Sequence, residues 1–306
     1  VSVSAKIIKV VRSTYTLSLP DQSTGLAILP GRNKRLEKTT RGIVCVGDNV
    51  LVSKNADRWV IEEVLPRSNV IARKSPGKDP GERIIAANID CMVIVASFVQ
   101  PDFNGRLIDR YLLAAARFSI APLLIISKHD LIDYDEEIAD LIRQRFRGLH
   151  LPILPVSLMH ASHKEELTTY FRNRVLAIVG ASGVGKTSLL NLLGQNSVKP
   201  TNSVSQQSGK GRHTTTHVEM HQLNELDSWI VDTPGIREFG IVGLQRHEIP
   251  GYFADFQEYS QLCRFSNCMH MREPACGVKQ AVSDERLDID RYQGYLNIIA
   301  SVGKTV

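Results

Sequence analysis

One stretch constrains this chain more than any other. Gly180-Ala181-Ser182-Gly183-Val184-Gly185-Lys186-Thr187, with Ser188 after it as a further nucleotide-binding candidate, follows the apolar run Arg174–Val179 and leads into a helical pattern that starts near Lys186. A strand, a loop of the form G-x-x-x-x-G-K-[ST] and a helix together make a P-loop. The glycines let the backbone wrap a phosphate, and successive N–H groups with the helix N-terminus bind its charge. In that pattern Lys186 reaches the β- and γ-phosphates and the Thr187 hydroxyl sits on Mg²⁺. A glycine turn matching by chance is disfavoured by the strand before it and the helix after it.

Two further motifs extend the reading. Asp232-Thr-Pro-Gly235 follows the strand-like Ser228–Val231. Asp-Thr-Pro-Gly is good turn chemistry, but downstream of a P-loop Asp232 is expected to hold Mg²⁺ through a water and the Gly235 N–H to meet the γ-phosphate. Ser127-Lys128-His129-Asp130 closes the strand-like run Pro122–Ile126 and resembles the guanine motif N-K-x-D. A carboxylate at Asp130 accepts from the N1–H and N2–H₂ of guanine, a pairing adenine cannot make, while the Lys128 stem packs over the ring. Ser127 stands where Asn is usual. Ser157 and Leu158, after the short run Ile153–Val156, offer backbone N–H groups to the guanine oxygen.

The order of the motifs is unusual. A guanine motif normally follows the P-loop, whereas here it precedes it by about 50 residues. The same sheet can form if the chain is circularly permuted. Alternating elements support a largely parallel sheet with helices on both faces: strands at 90–96, 122–126, 153–156, 174–179 and 228–231, helices at 106–117, 136–147, 164–171 and from 186. Between the P-loop helix and Asp232, residues 197–211 are polar and aperiodic and lead into Gly211-Arg-His213-Thr-Thr215-Thr216. A threonine here, with Thr215 favoured over Thr214 and Thr216, is expected to close over Mg²⁺ and the γ-phosphate. Ile236 cannot polarise water, which makes His213 the candidate for that role.

Cys263-x₄-Cys268-x-His270-x₅-Cys276 groups three of the five cysteines with one imidazole. Such a set closes a tetrahedral structural Zn²⁺ site, one per chain, with no open position for catalysis. Cys45 and Cys91 stand alone in apolar runs and read as core residues. Flanking segments 250–260 and 283–299 look helical.

At the other end, strand-like runs at 7–11, 15–19, 42–46, 49–53 and 59–64 suit a small barrel of the OB-fold type. Residues 1–42 hold eight Lys and Arg against Asp21 and Glu37, a +6 that exceeds the +5 of the whole chain. A basic barrel is suited to gripping nucleic acid. Residues 73–82, rich in Pro and Gly, read as a linker. Three domains are expected: 1–75 an RNA-binding OB-fold β-barrel, 76–245 a circularly permuted α/β P-loop GTPase domain, and 246–306 a helical zinc-binding domain. No apolar run reaches the ~20 residues that span a bilayer, and no apolar signal segment opens the sequence, so no membrane partner is expected.

Taken together, Ser127–Asp130, Gly180–Thr187, Gly211–Thr216, Asp232–Gly235 and the Cys263–Cys276 set resemble the RsgA family, also called YjeQ or YloQ. The resemblance covers nearly the whole chain. It implies hydrolysis of GTP to GDP and phosphate, stimulated by the small ribosomal subunit and its rRNA, in late subunit maturation. It also assigns a catalytic part to the histidine of the Gly-Arg-His-Thr-Thr stretch, here His213. A monomer in the cytoplasm, associated with ribosomes, is expected, with an organelle stroma or matrix as the alternative. Two other readings are a P-loop ATPase or kinase, if 127–130 is an ordinary loop, and a non-catalytic RNA-binding scaffold with structural nucleotide.

Overall fold

The computed structural model describes residues 2–30, 44–55, 58–74, 82–131, 136–158, 164–193, 218–232 and 243–302. In chain order the strands begin with β1 (Ser2–Val11), β2 (Thr14–Ser18), β3 (Thr24–Ile28), β4 (Asn49–Asn55), β5 (Arg58–Val64), β6 (Val70–Lys74) and β7 (Glu82–Ala87). Next come β8 (Cys91–Ser97), α1 (Gly105–Arg117), β9 (Ala121–Ser127), α2 (Glu136–Arg145), β10 (Ile153–Val156) and α3 (Lys164–Phe171). The remainder is β11 (Val175–Gly180), α4 (Lys186–Leu192), β12 (Glu219–Leu223), β13 (Ser228–Asp232), α5 (Gln257–Ser260), α6 (Gly277–Ser283) and α7 (Ile289–Ser301). The chain divides into two compact units, residues 1–91, 162–178 and 187–237 in the first and 92–161, 179–186 and 238–306 in the second.

In the first unit, β1-β2-β3-β5-β4 close into an OB-like barrel because β4 returns to β1, from Ser2 opposite Ser53 to Lys6 opposite Asn49. Closure removes the open edges that a five-stranded sheet would expose. Alternation along each strand sends Ala5, Ile7, Tyr15, Leu17, Val50, Val52 and Ile61 into one core. The fifth strand is β3, not the run 42–46. Val44–Val46 is buried but irregular, with the Cys45 N–H donating to the buried Asp48 carboxylate at 2.8 Å, which Arg67 pairs at 2.6 Å. β3 is harder to read because Leu26 points outward and Gly25 leaves room for Trp59, whose ring a Cβ there would meet at 2.7 Å. The linker reading also needs correction, since β6 and β7 form an antiparallel hairpin that takes in residues 73, 74 and 82.

The first unit also carries the parallel pair β11 and β13, with Val175 opposite Trp229, and β12 antiparallel to β13. β12 was not legible in the sequence. Two of the cations counted in the basic segment are engaged: Lys9 pairs with Glu219 at 2.8 Å, and the half-buried Lys6 donates to Asn49 at 3.1 Å. Arg32, Lys34, Arg35, Lys38 and Arg41 lie outside the described residues.

In the second unit, β8, β9 and β10 lie side by side, β9 and β10 parallel with Val156 beside Ser127. Every residue of β8 is buried, as expected of a strand covered on both faces. Asn104 caps α1 by accepting from the Leu107 N–H at 3.0 Å. Leu113 of α1 joins a core with Phe253, Phe256, Tyr295 and Ile298. Beside it lies a buried ionic cluster. Arg291 meets Asp255 and Asp109, each at 2.8 Å, and Arg145 meets Asp109 at 2.8 Å. Burial pushes the Asp109 carboxyl up, with Arg291 and Arg145 pulling it back. α7 approaches so closely that a Cβ on Gly294 would fall 1.9 Å from Asp109 Oδ2.

The expected helix at 250–260 is instead two 3₁₀ segments, Arg246–Tyr252 and Ala254–Phe256, followed by the single turn α5. Pro250 lacks the N–H that a continuous α-helix needs. The expected helix at 283–299 starts later, as α7 at Ile289 capped by Asp288, and a separate helix, α6, capped by Cys276, ends at Ser283. No helix among the described residues is long and apolar enough to cross a membrane.

Candidate nucleotide site and candidate metal centre

β11 ends on Gly180, whose φ of +150° and close approach to the Val95 carbonyl exclude a side chain; a Cβ would lie 2.2 Å from that oxygen. Gly185, at φ +94°, faces Leu158, whose Cδ1 would be 2.7 Å from an added Cβ. Between them Ala181, Ser182, Gly183 and the buried Val184 form the loop. Lys186 folds back so that Nζ donates to the carbonyls of Gly180 at 3.0 Å and Ala181 at 2.6 Å. The ammonium is thus held over the loop that would cradle a phosphate. Thr187 and Ser188 follow in the first turn of α4, and Asp232 is the last residue of β13. His213, Thr214, Thr215, Thr216, Gly235 and Ile236 lie outside the described residues.

The guanine motif comes to the same corner. Ser127, fully buried at the end of β9, approaches Val184 O at 2.6 Å and Ala96 O at 3.0 Å with its hydroxyl. Lys128 has φ +60°, and its Nζ donates to the Gln100 carbonyl. His129, Asp130 and Leu131 form one 3₁₀ turn. Val156 registers beside Ser127, which puts Ser157 and Leu158 at the end of the adjacent strand. Residues 127–130, 157–158 and 180–186, scattered in sequence, therefore share the carboxyl ends of neighbouring strands, where open α/β sheets bind ligands. Sequence reasoning missed the loop 97–104. Phe98 stacks on Phe103 with centroids 5.0 Å apart, and the Ser97 hydroxyl donates to Pro101 O at 2.9 Å. Pro101 Cδ would lie 3.7 Å from a Cβ on Gly183, so this loop borders the P-loop. Only its run of turn residues, Pro101-Asp-Phe-Asn-Gly105, marked it.

The four expected metal ligands are gathered as well. Their donor atoms all lie within 4.8 Å of one another. Cys263 Sγ is 3.8 Å from Cys276 Sγ and 3.6 Å from His270 Nδ1, and Cys276 Sγ is 3.4 Å from His270 Nδ1. A tetrahedral ion with bonds of about 2.3 Å to sulfur and about 2.0 Å to nitrogen needs edges of about 3.5–3.8 Å, so the donor set fits zinc. His270 has φ +54°, a turn that aims Nδ1 inward, while Nε2 lies 3.2 Å from the Ser260 hydroxyl. An outer partner of this kind fixes which nitrogen ligates. The Gly277 N–H donates to Cys263 Sγ at 3.3 Å and the Lys279 N–H to Cys276 Sγ at 3.5 Å, contacts suited to thiolates. Burial pushes the Cys268 thiol up to about 12 and the His270 imidazole down from its ordinary value. Glu273 braces the turn by accepting from the backbone N–H groups of Met269, Met271 and Arg272 at 2.8–2.9 Å. Cys45 and Cys91 are buried core residues, and burial raises both thiols.

A P-loop at the end of β11, a guanine-type motif at the end of β9, with β8 between the two strands, and the inverted order of the motifs define a circularly permuted GTPase. The RsgA GTPase family model matches residues 64–242, and the chain belongs to that family. It is 38% identical over 277 residues to the small ribosomal subunit biogenesis GTPase RsgA of Chlorobaculum parvum, covering 87% of this chain and 88% of that one. The protein of the same name from Chlorobaculum tepidum is 34% identical over 99% of both chains. Among solved structures, YjeQ from Thermotoga maritima superposes with a TM-score of 0.77 at 26% identity over 100% of both chains. YloQ, described as a circularly permuted GTPase, gives 0.74 at 26% identity over 99% of this chain and 95% of its own. The chain is accordingly a GTPase, a hydrolase acting on GTP.

Proposed function

We propose that this GTPase acts in late maturation of the small ribosomal subunit, and that the subunit stimulates its turnover. The observation that carries the nucleotide half is the tie between Ser127 Oγ and Val184 O at 2.6 Å, which couples the base-reading turn to the phosphate-binding loop. In this reading Asp130 selects guanine, with Lys128, His129, Ser157 and Leu158 around the base, while Gly180–Thr187 and Ser188 hold the phosphates. Thr187 and Asp232 would hold Mg²⁺, which when bound would screen the negative charge of the phosphates. His213 orients the attacking water and Thr215 closes over the γ-phosphate when the subunit is bound. Phosphoryl transfer relies on positioning and electrostatics, so such an enzyme turns over slowly until its partner completes the site.

The relatives named for small-subunit biogenesis support the partner half, as does the basic N-terminal segment. We assign residues 1–75 to rRNA binding, 76–245 to the GTPase domain and 246–306 to a domain organised by one structural Zn²⁺, in a monomer of the cytoplasm. Competition of GTP against ATP on the native protein and on Asp130→Asn tests the nucleotide half; equal affinities for both nucleotides would contradict it. Co-sedimentation with small subunits over a range of salt tests the partner half, and absence of binding at low salt would contradict that.

A further inference from the structure

The loop 97–104 joins β8 to α1 and touches both halves of the nucleotide site. On the phosphate side Pro101 borders Gly183. On the base side the Gln100 carbonyl accepts from the Lys128 ammonium. Gln100 (φ +51°) and Lys128 (φ +60°) both hold left-handed backbone. Residues with a side chain adopt that conformation infrequently, and it gathers at ligand clamps and switch regions.

The rest of the loop holds that carbonyl in place. Ser97, 2% exposed, donates through its hydroxyl to Pro101 O at 2.9 Å and closes the turn around Gln100. Phe98 and Phe103, on either side of Gln100 in the chain, stack with centroids 5.0 Å apart and ring planes 19° from parallel. Asn104 then caps α1 through the Leu107 N–H, which fixes the far end. One polar and one aromatic contact therefore bracket the residue that meets Lys128. A lysine has a long flexible stem, and ordering such a side chain on a ligand costs affinity. The Lys128 stem is the part that packs over a guanine ring. With the ammonium anchored beforehand, the stem meets the base already ordered.

We infer that the Phe98–Phe103 pair is a positioning element for base binding, acting through the Gln100 carbonyl on Lys128. This rests on the guanine reading above. The test is a double-mutant cycle on the full chain, read as the equilibrium affinity for GDP. Phe103→Ala removes the stack; Lys128→Met removes the ammonium and keeps most of the stem. Preordering one such side chain corresponds to about a two- to tenfold change. Phe103→Ala is expected to weaken GDP by that factor, and Phe103→Tyr, which keeps the ring, to bind as the native protein does. In the Lys128→Met background, Phe103→Ala should add no further loss. Losses that multiply in the double variant would place the effect of the stack on the P-loop or on folding, and overturn the inference. No loss in Phe103→Ala, or an equal loss in Phe103→Tyr, overturns it too. A native protein that binds GDP no better than ADP would refute the guanine reading itself; a failed cycle in a protein that prefers GDP refutes the anchor alone.

Discussion

Replacing Arg291 with Met removes a charge from the most enclosed ionic cluster in the second unit and keeps most of the side-chain volume. The Arg291 side chain is 3% exposed, and the carboxylates of Asp109 and Asp255 that it joins are 0% exposed. Its guanidinium also lies over the Phe253 ring, 4.4 Å from the centroid, a position that the methionine thioether can occupy. What the variant loses is compensation. Asp109 keeps Arg145 at 2.8 Å, but Asp255 loses the guanidinium that it meets at 2.8 and 3.2 Å. Breaking a buried pair in this way costs about 3–5 kcal/mol, against the total of about 5–15 kcal/mol that usually holds a domain folded. Both tryptophans, Trp59 and Trp229, lie in the first unit and will not report the change, so amide hydrogen exchange across Ile289–Ser301 is the suitable readout. Adding Asp255→Asn should recover part of the loss. A deficit under about 1 kcal/mol, or no recovery in the double variant, would refute the reasoning.

Three further outcomes follow from the same geometry. Gly180→Ala should abolish nucleotide binding while the N-terminal barrel stays folded, as checked by calorimetry and circular dichroism, because a Cβ would come within 2.2 Å of the Val95 carbonyl. Glu273→Gln should speed zinc loss to a chelator. Against the upward push of burial, the N–H groups around Glu273, including those of Met269, Met271 and Arg272, hold its pKa below the ordinary value, so its contribution is present above about pH 4.5 and is lost as pH falls through the lowered value. Neutralising Arg32, Lys34 and Arg35 together should weaken subunit binding and flatten its salt dependence by up to about three counterions, with GTP affinity unchanged.

The P-loop and the Cys₃His set were legible because each depends on fixed spacing over a few residues: Gly180 to Thr187 must wrap one phosphate, and Cys263 to Cys276 must surround one ion. Fold elements carried by long-range contacts were harder to read. β3 reads poorly because Gly25 makes room for Trp59, 34 residues later, and Leu26 faces outward. β6 and β7 read as a linker because the Pro- and Gly-rich residues 75–81 between them dominate the local composition. The role of Ser127 in the free protein was not legible either. A serine in place of asparagine reads as a loss until its hydroxyl is seen on the Val184 carbonyl.

The measurement that bears most directly on the whole account is the rate of GTP hydrolysis by the native protein with and without purified small ribosomal subunits. Parallel reactions with ATP and with His213→Ala should accompany it. The account predicts slow intrinsic turnover, a marked acceleration by subunits with GTP alone, and a loss of that acceleration in His213→Ala with nucleotide affinity largely kept. Equal rates with and without subunits, or equal stimulation of ATP hydrolysis, would contradict it.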